Sequence, residues 1–480
     1  MLKNAYYKNN IMQTLPNIDI NIKVGNSLIS KLDFTSNRKI GTKNINIEYK
    51  TKKLLAQYKA AVKEYKSISN KSDKKKIKSL IIKLKCSMFN QYSQLSLFGN
   101  EEKLENCDLY ENAFEWSFEF PELINDEGIF LGFDVILENP PYGLINKKQN
   151  HSISISAISA QANYYKIAPQ YQAASGGMLN IFRLFILRSF KLLKNGGNAA
   201  LIFPIAFLCD LSCYNIRNFL FKNSSIDFIE AFPERDDENK RVFESAKMSV
   251  CIAVFTKKKA ENNNFTSFRI CRDRFVDTTI IPSKITLPMI EKIDERYITI
   301  PLATQNEFEL IEKIVTGSCH CKDISKCYTG EIDLSLDKMY ISLDKTYSTM
   351  IRGAQVQKYR VTNDISQGNI LYLNSELYLS QNHGPRSDHH NYRRIVMQGI
   401  TGVNEKIRLK MALLPAGIYC ANSVNYLIPN DENDNLEYLL GLLNSKVLNW
   451  FFVRLSTNSN VNGYEVDNLP IKEASESQKA

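Results

Sequence analysis

Short apolar segments of strand length alternate with helical patterns in the first half of the chain, and this alternation limits the possible folds more than any other feature. Strands are predicted at Phe133–Leu137, Ala199–Phe203, Ile226–Ala231 and Met248–Phe255, and a buried helix at Met178–Leu193. A further strand that ends in a turn is predicted at Ile18–Leu28. Strands that are separated by helices favour a parallel sheet. We therefore predict an α/β fold for this half of the chain.

The second half of the chain has a different sequence pattern. Its segments are short and rich in Tyr, Asn and Asp, with few long helices before a predicted helix at Glu437–Phe452. A length of 480 residues also exceeds what one hydrophobic core normally holds. We predict four regions, namely a first domain at 1–265, a linker at 266–300, a mixed α/β domain at 301–470 and a polar tail at 471–480.

The net charge of +10 comes from one segment. Lys50–Lys85 holds 13 lysines against Glu64 and Asp73, a balance of +11 that leaves about −1 for the rest. Apolar residues recur at spacings of three and four on both sides of a break near Ser69–Asp73, which predicts a helical hairpin at about 48–96. Concentrated positive charge attracts polyanions such as nucleic acid. The alternative is a solvated helical face that binds nothing.

The cellular compartment can be predicted from what the sequence lacks. No apolar stretch reaches the ~20 residues that span a bilayer. The N-terminal sequence MLKNAYYKNN has no apolar core of the kind found in signal peptides. The ten cysteines are scattered, and several lie in apolar runs where reduced cysteine acts as a small hydrophobic residue. We therefore expect a cytoplasmic protein.

One polar motif directly follows the predicted strand at Phe133–Leu137, namely Asn139, Pro140, Pro141 and Tyr142. Open α/β sheets bind their ligands at the carboxyl ends of strands. The Asn139 side-chain oxygen and the Pro140 carbonyl can accept both N–H bonds of an exocyclic amine, and Tyr142 offers a ring for stacking a flipped base. The alternative for so short a motif is an ordinary turn.

The segment FDVILENPPYG at Phe133–Gly143 resembles motif IV of the TaqI-like and type IIG-like DNA adenine-N6 methyltransferases of restriction-modification systems. VGNSL at Val24–Leu28 is similar to their motif III. Further segments resemble other parts of this family in the same order, namely FEWSFEFPEL, LLKNGGNAALIFP, RVFESAKMSVCIAVF, IRGAQVQKY and YLLGLLNSKVLNWFF. The resemblance covers nearly the whole chain.

The resemblance implies an architecture and a reaction. The first domain would be a partial Rossmann-like methyltransferase sheet with the hairpin as an insertion, and the second a TaqI-like C-terminal specificity (target recognition) domain. The substrate would be double-stranded DNA, and S-adenosylmethionine would methylate the N6 amine of a flipped adenine. The implied catalytic residues are Asn139, Pro140, Pro141 and Tyr142, and the implied cofactor-binding residues are Gly25, Asn26 and Ser27.

Candidate DNA-binding residues lie in the second half, namely Arg352, Lys358, Arg393 and Arg394. Arginine and lysine bind phosphates and guanine edges, although ordinary surface charges are equally common. We expect no metal site, because Cys319, His320 and Cys321 are adjacent in sequence and cannot easily converge on one tetrahedral ion.

The sequence departs from the family pattern at two places. The glycine-rich loop of motif I, which cradles the cofactor, is missing from this sequence. We therefore expect a second polypeptide to carry that loop, or else a truncated, inactive product or a DNA-binding component without activity of its own. RNA or a protein glutamine is a further rival substrate, against which the specificity-like half argues. The second departure is Glu138, where the family usually has a small residue.

Overall fold

The computed structural model describes residues 7–8, 11–12, 22–30, 45–68, 70–96, 113–126, 129–145, 155–260, 264–363, 369–381, 384–431, 435–472 and 474–475. The helices are α1 Ile45–Ser67, α2 Lys71–Ser96, α3 Trp116–Glu119, α4 Ile155–Ile167, α5 Ile181–Leu192, α6 Ala206–Cys209, α7 Tyr214–Asn223, α8 Leu287–Ile293, α9 Gln305–Val315, α10 Cys321–Ile324, α11 Ser375–Gln381, α12 Leu436–Leu443, α13 Lys446–Leu455 and α14 Gly463–Asp467.

The strands are β1 Tyr7–Lys8, β2 Ile11–Met12, β3 Phe133–Glu138, β4 Leu193–Pro204, β5 Ser225–Phe232, β6 Val250–Thr256, β7 Thr266–Ile270, β8 Ser283–Ile285, β9 Cys319–His320, β10 Ser325–Thr329, β11 Ile341–Ser342, β12 Ser348–Ile351, β13 Val356–Gln357, β14 Arg360–Val361, β15 Tyr372–Leu373, β16 Arg394–Gln398, β17 Met411–Leu414, β18 Tyr419–Cys420, β19 Val424–Pro429 and β20 Pro470–Ile471.

The largest sheet among the described residues has six strands in the order β3-β4-β6-β5-β7-β8. The pairs β3–β4 and β5–β7 are parallel, and β8 joins β7 in the antiparallel sense. Four of the five strands predicted from the sequence correspond to β3, β4, β5 and β6, and the predicted helix corresponds to α5. The strand predicted at Ile18–Leu28 lies partly outside the described residues, and its described part, 22–28, contains one isolated bridge, from Asn26 to Ala113, instead of a strand. The predicted α/β fold class is confirmed.

Two glycines let β3 and β4 approach each other closely. Gly132 adopts a positive φ of 87°, and a Cβ atom there would lie 2.6 Å from the Lys194 amide nitrogen. A Cβ atom on Gly197 would lie 2.8 Å from the Phe133 carbonyl oxygen. Since neither site has room for a side chain, these glycines permit the pairing that brings β3 into the sheet.

Helices α1 and α2 form the predicted hairpin, whose apolar faces pack on the segment that includes α3. The shared core consists of Leu55, Tyr58, Val62, Met88, Phe118 and Ile124. The Tyr58 hydroxyl donates to the Phe118 carbonyl at 2.5 Å, and Lys66 forms a salt bridge of 2.8 Å with Glu122. These contacts fix the base of the hairpin.

The C-terminal part contains two four-stranded sheets. One has the order β10-β19-β16-β17 with antiparallel pairing throughout, and the other has the order β11-β15-β12-β18. The single predicted helix at Glu437–Phe452 is wrong, because two helices, α12 and α13, occupy this stretch. The break follows from Ser445, whose side chain accepts a bond from the Leu448 amide and so begins a new helix.

The chain divides into two compact units. The first comprises residues 1–203, 219–227 and 253–262, and the second comprises 204–218, 228–252 and 263–480. Residues 266–300, which we predicted as a linker, contain β7, β8 and α8. The domain boundaries given above stay a prediction. None of the helices in the described ranges is long and apolar enough to cross a membrane.

Candidate functional site

The loop Asn139–Tyr142 begins where β3 ends, at the carboxyl edge of the sheet. Asn139 is exposed, Pro140 is buried and Tyr142 is half-buried. The Tyr142 hydroxyl lies 2.9 Å from the Asn139 side-chain oxygen and 2.9 Å from the carbonyl oxygen of Ile202 in β4. A phenol has one proton, so the hydroxyl donates to one of these two acceptors at a time. The motif is thereby connected to the neighbouring strand through its tyrosine.

The residues after the loop are held by the start of α5. The Gly143 amide donates to the Asn180 side-chain oxygen at 3.3 Å, and the Ile181 amide donates to the Gly143 carbonyl at 2.9 Å. Asn180 is also the N-cap of α5, accepting from the Phe182 amide. One asparagine therefore begins the helix and fixes the far end of the loop.

Glu138, the last residue of β3, is bonded to helix α5. Its carboxylate accepts a 2.6 Å hydrogen bond from the Ser189 hydroxyl of α5. Burial raises the pKa of Glu138, and the bond from Ser189 opposes this only in part. The large side chain at this position therefore lies beside α5, and the neighbouring Asn139 is exposed.

The segment around Gly25, Asn26 and Ser27 is held through its backbone. The Ser27 carbonyl accepts from Trp116 Nε1 at 3.1 Å and from Arg188 Nε at 3.2 Å. The Asn26 side-chain oxygen accepts from the Leu28 amide at 3.2 Å, whereas Gly25 is exposed. Trp116 and Arg188 were not singled out from the sequence. No local pattern could have identified them, because they lie 89 and 161 residues from Ser27.

A groove of about 330 Å³ runs along β3 in the first of the two compact units. It brings Ser27 together with Glu138, so the predicted cofactor segment and the strand that carries the catalytic motif share one cavity. Its lining is aromatic and aliphatic apart from a few polar side chains. The lining residues are Ser27, Trp116, Phe120, Phe133, Val135, Ile136, Leu137, Glu138, Phe185, Arg188, Ser189 and Leu192.

The four candidate DNA-binding residues lie in different environments. Arg352 is half-buried and donates to the Asn369 carbonyl at 2.8 Å. The Lys358 ammonium lies 5.3 Å from the centre of the Tyr359 ring. Arg393 is exposed and forms a salt bridge with Glu437.

Arg394 differs from the other three because it has no exposed surface. Its guanidinium donates to the Glu331 carboxylate at 2.5 Å and lies 4.2 Å from the centre of the Tyr426 ring. Both charged side chains of the pair are 0% exposed. Arg394 therefore belongs to the interior of the domain, and we leave it out of the DNA-binding proposal below.

The stretch that contains Cys319, His320 and Cys321 contributes to the packing of the domain. Cys321 is buried at the start of α10 and its thiol lies 3.3 Å from the Ser325 hydroxyl. Burial raises the pKa of the Cys321 thiol to about 12. Within the described part of the chain, no group of three potential ligands is placed to hold a metal ion.

Two family models match the chain. Residues 17–243 match the Eco57I restriction-modification methylase, and residues 348–471 match the TaqI-like C-terminal specificity domain. The chain is 22% identical over 356 residues to a protein of Methanocaldococcus jannaschii named as a type II restriction enzyme and methyltransferase, a match covering 71% of this chain and 26% of that protein. It is 28% identical over 106 residues to a type II methyltransferase of Thermus thermophilus, covering 22% of this chain and 24% of that one.

The matched segments thus cover about a quarter of the length of each of these curated relatives. Similar solved structures include the Type IIL restriction-modification enzyme MmeI in complex with DNA, with a TM-score of 0.44, 11% identity and coverage of 72% of this chain and 47% of that one. The type IIG restriction endonuclease BpuSI has a TM-score of 0.31, 12% identity and coverage of 76% and 51%. The two family matches together cover most of the chain, which therefore carries an Eco57I restriction-modification methylase domain followed by a TaqI-like C-terminal specificity domain.

Proposed function

We propose that this chain is the catalytic and recognition portion of a site-specific DNA adenine-N6 methyltransferase in a restriction-modification system, working in the cytoplasm. The observation that carries the proposal is the loop Asn139–Tyr142, which presents an exposed amide oxygen at the carboxyl end of β3 and holds an aromatic ring beside it. This is the combination that the exocyclic amine of a flipped base requires.

The amine of adenine is a poor nucleophile because its lone pair is delocalised into the ring. Hydrogen bonds to both N–H groups favour the tetrahedral nitrogen that attacks the methyl group. The Asn139 side-chain oxygen and the Pro140 carbonyl are the two proposed acceptors. Because the Tyr142 proton can turn to the Ile202 carbonyl, the Asn139 oxygen can take up the amine while Tyr142 stays anchored to β4.

Tyr142 has a second proposed role, since its ring can stack on the extruded base. Such stacking contributes roughly 1 to 3 kcal/mol per base. The Ile202 carbonyl holds the hydroxyl at 2.9 Å, so the ring keeps one orientation before the base arrives. This preorganisation lowers the entropy that binding the base would otherwise cost.

S-adenosylmethionine would supply an electrophilic methyl group on a sulfonium ion; transfer breaks the bond between this methyl and sulfur, leaves a neutral thioether, and releases one proton from the methylated amine. Gly25, Asn26 and Ser27 are the residues that we propose to lie beside it. The fit is partial: the Ser27 carbonyl is already engaged by Trp116 and Arg188, which leaves the exposed Gly25 backbone and the groove beside Ser27 to face a ligand. We therefore propose that a further polypeptide segment with a glycine-rich loop completes the cofactor site.

We assign the binding of duplex DNA to the hairpin and the specificity domain. Lys53, Lys63, Lys75 and Lys83 are exposed on α1 and α2. Lysines that approach phosphates release counterions, and this supplies sequence-independent affinity. Arg352, Lys358 and Arg393 remain proposed contacts of the specificity domain.

A second candidate function is a DNA-binding specificity component without activity of its own. The incomplete cofactor site favours it, since methyl transfer needs a firmly held donor. The two functions differ in one respect only, namely whether supplying the missing segment restores transfer.

The experiment combines this chain with the polypeptide encoded immediately upstream, labelled S-adenosylmethionine and duplex DNA, followed by digestion to nucleosides. We expect the label on N6-methyladenine, and none when RNA or a glutamine-containing protein replaces DNA. Label on cytosine, on RNA or on protein would contradict the proposed function. DNA binding without any label would favour the specificity component.

A further inference from the structure

The turn before α5 carries an exposed apolar side chain. Met178 is 70% exposed, and the two residues before it, Gly176 and Gly177, are exposed as well. Both glycines have a positive φ, of 128° and 55°, in a region that residues with side chains rarely adopt. The chain therefore turns sharply and displays methionine at the end of a tip, Gly176–Met178.

A buried arginine holds this tip in place. Arg183 of α5 is 0% exposed, and its guanidinium donates to the Gly176 carbonyl at 2.8 Å and to the Met178 carbonyl. A guanidinium is costly to bury unless its N–H groups are hydrogen-bonded. Single exposed apolar side chains are ordinary on protein surfaces, but the backbone below this one is fixed from the interior. Met178 is thus held in position before any ligand arrives.

The tip is joined to the loop Asn139–Tyr142 by backbone hydrogen bonds. The Ile145 amide donates to the Leu179 carbonyl at 3.1 Å, and the Ile181 amide donates to the Gly143 carbonyl at 2.9 Å. The residues just after the loop therefore pair in the antiparallel sense with the residues just after the tip. Both features belong to one hydrogen-bonded structure within the first compact unit.

The spacing between the loop and the tip suits a single base pair. Met178 precedes Ile181 by three residues, and an extended residue spans at most about 3.6 Å, so the two Cα atoms lie within about 11 Å of each other. The major groove of B-DNA is about 12 Å wide. The loop that we propose to receive the adenine and the tip beside it can therefore contact the same base pair.

We propose that the Met178 side chain inserts into the duplex at the position vacated by the extruded adenine, and so acts as a wedge that favours base flipping. This inference rests on the proposed function. An extruded base leaves an unpaired partner and unstacked neighbours, which costs free energy. Apolar side chains inserted between base steps, methionine among them, are one way in which proteins hold DNA in such a state.

The composition of the tip suits insertion between bases. The two glycines have no side chains that would keep the phosphate backbone away from Met178. Methionine is unbranched and polarizable, so it can fill an irregular gap. A charged side chain would lose its hydration in the same gap without gaining a partner. The tip therefore offers one apolar group on a narrow support.

The test measures extrusion of the target base by the fluorescence of 2-aminopurine, which rises when this base leaves the stack. This chain is combined with the polypeptide encoded immediately upstream, and the duplex is one that the complex selects from a random-sequence library. 2-Aminopurine replaces each adenine of that duplex in turn. Met178→Ala removes the wedge and Met178→Leu keeps an apolar side chain of similar size. Met339→Ala is the matched control, because Met339 is 69% exposed.

We expect the wild type, Met178→Leu and Met339→Ala to raise the fluorescence equally at one position. Met178→Ala should reduce both this rise and the rate of methyl transfer by about tenfold. A duplex with an abasic site opposite the target adenine should restore transfer by Met178→Ala to within about threefold of the wild type, because that adenine is already unpaired.

Equal extrusion by Met178→Ala would overturn the proposal. A defect that Met178→Leu shares, or that the abasic duplex does not correct, would also overturn it, since either result would give the turn a role other than insertion. Absence of extrusion by the wild type would overturn it as well.

The same samples separate the two proposals. Extrusion that depends on Met178 without any N6-methyladenine in the product would retain the wedge and contradict the proposed function. N6-methyladenine formed at equal rates by the wild type and Met178→Ala would retain the function and contradict the wedge.

Discussion

Two clusters of polar side chains in this protein each include a tyrosine, but one cluster is exposed at a strand end and the other is buried. At the end of β3, the Tyr142 hydroxyl contacts Asn139, and the amide stays exposed. In the specificity domain, Arg394 contacts Glu331 and Tyr426 at 0% exposure. The first cluster lies at a strand end and the second in the middle of a folded domain.

The difference shows how location decides what a polar group does. A hydrogen-bonding group at the carboxyl end of a strand can be anchored on one side and still meet a ligand on the other. A buried ion pair has all of its partners within the protein, and removing one partner leaves an uncompensated charge. Substitutions in the first cluster should therefore affect the reaction, and substitutions in the second should affect the fold.

The largest expected effect comes from Arg394→Ala. It leaves the Glu331 carboxylate buried without its guanidinium partner, which should cost about 3 to 5 kcal/mol of unfolding free energy. The neighbouring Arg393→Ala removes an exposed salt bridge with Glu437 and should cost at most about 1 kcal/mol. Urea titration of both variants measures this. Equal stability of the two variants would contradict the claim that the buried Arg394 pair matters more for folding than the exposed Arg393 pair.

The hairpin extends the comparison to exposed charge. Replacing Lys53, Lys63, Lys75 and Lys83 with glutamine should reduce the slope of log affinity for DNA against log salt by roughly 3 to 4, at about 0.9 per phosphate contact. The control replaces Lys59, Lys66 and Lys85, which form salt bridges with Asp126, Glu122 and Glu119. An unchanged slope in the first variant would make the hairpin a solvated face.

Tyr142 allows the two parts of the first cluster to be separated. Tyr142→Ala removes the stacking ring and should weaken base binding by roughly 1 to 3 kcal/mol. Tyr142→Phe keeps the ring but loses the bonds to Asn139 and Ile202, and should be milder at about 0.5 to 1.5 kcal/mol. Both variants are tested by measuring methyl-transfer rates with the completed enzyme, that is, this chain combined with the polypeptide that supplies the glycine-rich loop. A Phe variant as slow as the Ala variant would assign the main role to the hydroxyl.

Substitution of Glu138 should have the smallest effect, which is a change in stability that depends on pH. Burial raises the folded-state pKa of Glu138, so the folded protein holds this proton more tightly than the unfolded chain. The resulting stability is present below the ordinary pKa and is lost as the pH rises through the folded-state value. Glu138→Gln should therefore be more stable than the wild type at neutral pH, by up to about 1 kcal/mol, and lose this advantage in acid. Parallel melting curves at every pH would contradict this.

The sequence predicted those parts of the fold that depend on local pattern. The four strands and the hairpin follow from apolar spacing, and the motif Asn139–Tyr142 is a short contiguous segment. The roles of Arg393 and Arg394 could not be predicted from the sequence, because the pattern does not show whether β16 begins at Arg393 or at Arg394, and a shift of one residue exchanges the two faces of a strand. The contacts of Ser27 with Trp116 and Arg188 join segments far apart in sequence, which no local pattern encodes.

The most direct test of the central claim is Asn139→Ala in the completed enzyme, assayed for labelled-methyl incorporation and for DNA affinity on the same samples. The exposed position of Asn139 means that folding and DNA binding should be retained. Loss of the acceptor should reduce methyl transfer by about 10² or more, equivalent to about 2.7 kcal/mol of transition-state stabilisation. Wild-type incorporation by this variant, or loss of DNA binding together with activity, would contradict a catalytic role for the loop at the end of β3.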